Sequence, residues 1–141
     1  MATARSIKYT VYQDTKKGGT NKFYARAAHL NTIGTEELAQ KIQASCTLKA
    51  SDVIACIREL VETMKDELLA GNVVNLDGFG SFRVNIKSSG AVTEDEFTVT
   101  DNIKGCHVRF LPAGAKDSAS GAIVRPLIQG VRFEKLAGYR K

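Results

Sequence analysis

Arg83 and Lys87 lie in the run Phe82-Arg83-Val84-Asn85-Ile86-Lys87, whose alternation reads as a half-buried strand with its basic residues on one face. Cations held on a strand face suit the oxygens of a polyanion. The distribution of charge agrees. Residues 1–32 carry six Lys/Arg and one acidic residue, residues 33–77 four and eight, and residues 78–141 ten and six. Those counts give +5, −4 and +4, so positive charge sits in the β-like ends and negative charge on the helical middle. Other chemistries find little footing. Cys46, Cys56 and Cys106 are odd in number without paired spacing, and His29 and His107 stand in no metal-ligand motif. Cys106 and His107 are neighbours, but adjacent side chains on a strand point to opposite faces, so they do not form a nucleophile pair. No phosphate-binding loop, nucleophile elbow, zinc-binding helix or dinucleotide fingerprint is present. The sequence therefore predicts no enzyme, no metal, no cofactor and no small-molecule substrate.

The elements that must hold those cations are readable in outline. Residues 7–13 and Lys22–Ala28 alternate as strands around a polar turn, predicting an N-terminal hairpin whose loop bears Lys16, Lys17 and Lys22. Thr35 is a suitable N-cap, with Glu36 and Glu37 in the first turn where the helix dipole favours acid. A second helix starts at Lys49–Ser51. Its apolar residues Val53, Ile57, Leu60, Val61, Met64, Leu68 and Leu69 recur at helical spacing for about five turns. Cys56 reads as a small core residue of that helix. Two helices cannot cover so broad a stripe, which calls for a sheet or a second subunit. Phe97–Thr100 and Cys106–Leu111 read as further strands, Ala113–Gly121 as a short helix or linker, and Ile123–Arg125 and Gly130–Phe133 as final strand segments. At 141 residues, 43% apolar and 25% charged, the chain is of ordinary globular composition. It has no apolar run long enough to span a bilayer and no apolar leader in Met1–Ser6, which predicts a cytoplasmic protein without a membrane partner.

The most specific pattern is Gly71-Asn72-Val73-Val74-Asn75-Leu76-Asp77-Gly78-Phe79-Gly80-Ser81-Phe82. It follows the long helix with a C-cap glycine, a short apolar strand, a Gly-Phe-Gly turn and a second strand. In this order, and with Thr35-Glu36-Glu37-Leu38-Ala39 opening the helices, the chain resembles the bacterial HU and integration host factor family of DNA-binding proteins. The resemblance runs from about Thr35 to Phe82, and Val108-Arg109-Phe110 with Ala113-Gly114 look like the family's return from its β-arm. It implies an α+β fold of HU type, with two helices under an antiparallel sheet that carries a β-arm; the N-terminal hairpin is an addition. The implied organisation is an N-terminal β extension at 1–32, an HU-like domain at 33–116 and a C-terminal extension at 117–141 within the same globular unit.

The resemblance also implies a homodimer that grips double-stranded DNA without sequence preference and is located at the nucleoid. Arg83 and Lys87 on the outgoing strand and Lys104 and Arg109 on the return would meet phosphates, and the amides of Gly78 and Gly80 would approach them closely. Phe79, Phe82, Leu60 and Met64 would fill the core or the dimer interface. The family's arm-tip proline has no counterpart between Ser88 and Gly105, where Thr93-Glu94-Asp95-Glu96 places three consecutive carboxylates. The base-step wedge of that family is therefore not expected here. The alternative is an HU-fold interaction module that recruits a protein in place of DNA.

Overall fold

The computed structural model describes residues 5–16 and 18–137. Residues 1–4, at the start of the segment read as lacking a leader, and the loop cation Lys17 lie outside them. The chain divides into two compact units, one made from its two ends and the other from Thr35–Leu127.

The Thr35–Leu127 unit begins with α1 (Thr35–Gln43) and α2 (Ala50–Leu69). The α2 N-cap, Lys49, has no side chain able to accept a bond. The Gln43 carboxamide oxygen instead accepts from the Ala50 amide at 2.6 Å, so α1 caps α2 from seven residues away. At the other end Gly71, at φ +86°, closes the helix as expected. Its amide donates to the Leu68 carbonyl and that of Asn72 to Glu67, the paired bonds of a Schellman motif. The chain then forms an antiparallel meander of β3 (Val74–Leu76), β4 (Gly80–Ser88) and β5 (Ile103–Pro112), in the order β3-β4-β5. A small hairpin of β6 (Ala115–Lys116) and β7 (Ile123–Val124) follows. This hairpin replaces the helix or linker read from the Ala/Gly/Ser composition. Its turn is organised by the Asp117 carboxylate, which accepts from the Ser120 hydroxyl and from the Ser120 and Ala119 amides. The Ser120 bond, followed by those amides, holds the Asp117 carboxyl below its ordinary range.

Gly80 shows why the Gly-Phe-Gly turn needs its second glycine. It is buried, has φ +150°, and a Cβ there would lie 2.4 Å from the Leu111 carbonyl oxygen and 2.6 Å from the Phe110 ring. Gly78, at φ +74°, has nothing within 4 Å of such an atom. Gly80→Ala should therefore destabilise the protein by about 2–3 kcal/mol, from strained backbone and overpacking. Gly78→Ala should cost about 1 kcal/mol, from the left-handed backbone alone. Urea midpoints of the two variants separate these values.

The packing within this unit is thin. Ala39 and Val53 are its buried apolar residues among those described. One flank of α2, with Ile57, Met64 and Leu68, is half-buried, while Leu60 and Val61 are exposed. Cys56, read as a core residue, is exposed as well.

The other unit holds β1 (Ile7–Gln13), β2 (Phe23–Ala27) and β8 (Phe133–Lys135), in the order β2-β1-β8. The expected hairpin pairs β1 and β2 antiparallel, while β8 adds to β1 in parallel. Lys8 and Ser6 both engage the Glu134 carboxylate across the β1–β8 seam, and the Lys8 contact leads in holding that carboxyl below its ordinary range. Ile7, Tyr9, Ala25, Ala27 and Phe133 line an apolar hollow of about 490 Å³ on one face of this sheet.

Candidate nucleic-acid interface

The β4–β5 register decides which side chains share a face. Arg83 lies opposite Arg109, Asn85 opposite His107 and Lys87 opposite Gly105. Cross-strand partners point the same way, so Arg83, Asn85, Lys87, His107 and Arg109 form one polar face. The intervening positions Phe82, Val84, Ile86, Cys106, Val108 and Phe110 form the opposite, apolar face. Phe79, Phe82 and Phe110 are mutually tilted on the apolar side, with ring centroids 4.8 to 5.8 Å apart. This cluster anchors the base of the hairpin and thereby fixes the direction of the polar face.

Arg83 and Arg109 make an opposed pair of like charges, an arrangement that destabilises a ladder. Neither they nor Lys87 belong to an ion pair among the described residues, where Lys8–Glu134, Lys41–Glu37 and Lys65–Glu62 are found. Three exposed cations thus share one surface with no internal counterion.

The other sequence-predicted residues are placed differently. Lys104 is the extra residue where the register shifts between Lys87 and Ser88, and its ammonium donates to the Asp101 carbonyl at 2.6 Å. Gly80 is buried against Phe110 and Leu111, whereas Gly78 is exposed. Leu60 and Met64 occupy the α2 stripe. His107 and Asn85 were missed as members of the basic face. The spacing of His107 two residues before Arg109 carries that information, but Asn85 joins it only through the register.

The expected strand at Phe97–Thr100 is instead the entry to a single helical turn, α3 (Val99–Asn102). The Thr98 hydroxyl accepts from the Asp101 amide and caps that turn, an option β-branched threonine shares with extended structure. The tip of the arm is built on Asn102, which is buried. Its carboxamide nitrogen donates to the Ser89 and Gly90 carbonyls, and its oxygen accepts from the Thr98 amide. Glu94, Asp95 and Glu96 remain exposed on this folded tip. Asn102→Ala should free the segment between Ser89 and Asn102, at a cost of about 1–3 kcal/mol for each backbone group left unsatisfied. Faster amide exchange at Thr98, with protection in β4 unchanged, is the expected reading.

A two-helix body joined to a three-stranded meander with a long hairpin makes this an HU-like α+β protein. Residues 6–121 match the family model described as HU domain fused to wHTH, Ig, or Glycine-rich motif, and the chain belongs to that family. The resemblance to HU-type proteins thus holds at the level of the family. Among solved structures the chain is similar to a Bacteroides vulgatus ATCC 8482 protein whose designation as a bacterial DNA binding protein is itself an assignment. The TM-score is 0.63 at 11% identity, over 95% of this chain and 49% of the other. The present chain therefore spans about half the length of that relative, and the likeness is one of fold. No curated protein matches the chain.

Proposed function

We propose that the protein binds double-stranded DNA with little sequence preference through the polar face of the β4–β5 hairpin, with Arg83, Lys87 and Arg109 on phosphates. The opposed, unpaired Arg83 and Arg109 carry this reading, because a ladder that tolerates such repulsion gains when an anion neutralises it. The DNA-binding designation of the Bacteroides vulgatus relative is in keeping with it. The exposed amide region of Gly78 adds a place for close phosphate approach. Lys104 contributes less, since its ammonium is already engaged. The gripping part is the HU-like segment 33–116, and the protein acts as a homodimer at the bacterial nucleoid, in the cytoplasm. The open flank of α2 and the apolar face of the hairpin, with Ile86 64% exposed, support the dimer. No helix among the described residues is long and apolar enough to cross a membrane.

Because the tip is a carboxylate-bearing turn without proline, the duplex is held and not sharply kinked. The acidic tip also favours a second reading, in which the fold recruits a basic protein surface. A gel-shift titration at low and moderate salt separates the two. Duplexes of unrelated sequence should shift at similar concentrations and lose affinity together as salt rises, whereas an unshifted duplex at low salt rejects DNA binding.

A further inference from the structure

The β2-β1-β8 sheet is amphipathic in an unusual sense. Ile7, Tyr9, Val11, Ala25 and Ala27 share one face by register, whereas Lys8, Thr10, Tyr12, Tyr24 and Arg26 share the other. Two aromatic rings therefore stand on the polar side, each 40% exposed. They lie side by side with centroids 6.0 Å apart. The Arg26 guanidinium sits 4.4 Å from the Tyr12 ring centroid, and the Tyr24 hydroxyl is 2.6 Å from that of Thr20. Both rings are thus held in place before any ligand arrives, which lowers the entropy lost on binding. Lys22 continues this face beyond β2, since the Asp14 amide donates to its carbonyl and extends the ladder. Among the described residues neither Arg26 nor Lys22 belongs to an ion pair: Lys8 is neutralised by Glu134, and Asp14, opposite Lys22, has its carboxylate turned to the Lys16 and Thr20 amides.

Fixed aromatic faces flanked by cations outside any ion pair are what an unpaired nucleotide strand requires. Every base offers a π-face to a ring, and the backbone offers phosphates to the cations. A duplex keeps its bases stacked on one another and has no use for the rings. We propose that this polar face binds single-stranded nucleic acid, with bases stacking on Tyr12 and Tyr24 and phosphates meeting Arg26 and Lys22. The surface shares no residue with the β4–β5 face and stands on its own observations.

The test uses the full chain and a fluorescent oligothymidylate of about 12 nucleotides, within the site sizes usual for such surfaces. Tyr12→Ala with Tyr24→Ala should weaken its binding by about tenfold or more, while Tyr12→Phe with Tyr24→Phe stays within about twofold of wild type. With no tryptophan in the chain, tyrosine emission should be quenched as the oligonucleotide binds. Arg26→Gln with Lys22→Gln, which spares both rings, should flatten the salt dependence by about 1.4 in log–log slope if both phosphate contacts are lost, taking about 0.7 for each on a single strand. The proposal is overturned if wild type does not bind the strand at low salt. It is equally overturned if the glutamine pair keeps the wild-type slope, or if a folded alanine pair binds as tightly as wild type.

Discussion

Reversing charge at Arg83 and Lys87 together is expected to lower duplex affinity by about three and a half decades at 0.1 M salt and to flatten its salt dependence. In the proposed dimer the two substitutions remove four phosphate contacts, and each contact contributes about 0.9 to the slope of log K against log salt. The slope should therefore become shallower by about 3.6 units. The loss should be alike for A·T-rich and G·C-rich duplexes, because phosphates carry no sequence information. Lys104→Glu is the informative control. Its ammonium is tied to the Asp101 carbonyl at the bulge, so the single reversal should change affinity far less than Arg109→Glu does. Equal effects from Lys104 and Arg109 would mean that the duplex runs along the bulge and not along the Arg83–Arg109 face.

Much of this arrangement is legible in the residues, and the reasons differ by element. The α2 stripe and the Gly71 cap follow from spacing and backbone chemistry that act within a few residues, so sequence alone predicts them. The same locality made Arg83 and Lys87 recognisable as one strand face. Whether Arg109 joins them depends on the β4–β5 register, a long-range property set by the Phe79–Phe82–Phe110 cluster and by the bulge at Lys104. A register shifted by one residue would have moved Arg109 to the apolar side. Phe97–Thr100 misleads because β-branched and aromatic residues suit a strand, while the Thr98 cap and the buried Asn102 carboxamide impose a turn. The parallel pairing of β8 with β1 joins residues more than a hundred positions apart, and no local pattern encodes such a contact.

The second large effect concerns the stripe on α2. Leu60→Asp with Met64→Asp is expected to convert the proposed dimer into a monomer and to abolish cooperative thermal unfolding. Leu60 is 42% exposed within one chain and Met64 half-buried, so α1 and the sheet leave the flank open for a second subunit. Closing that seam over two carboxylates per chain would strand unpaired charges in an apolar setting, at several kcal/mol each. Since about 1.4 kcal/mol is tenfold in an equilibrium constant, dissociation should strengthen by more than about a thousandfold. Lys65→Glu, on the exposed face of the same helix, removes a surface ion pair with Glu62 and should leave the assembly intact. Sedimentation would then show wild type and Lys65→Glu at twice the chain mass, and the double aspartate variant at the chain mass. Loss of the dimer should also halve the number of cations a duplex meets, so DNA affinity ought to fall although Arg83, Lys87 and Arg109 are untouched. A double aspartate variant that still sediments and melts like wild type would place the subunit seam away from α2.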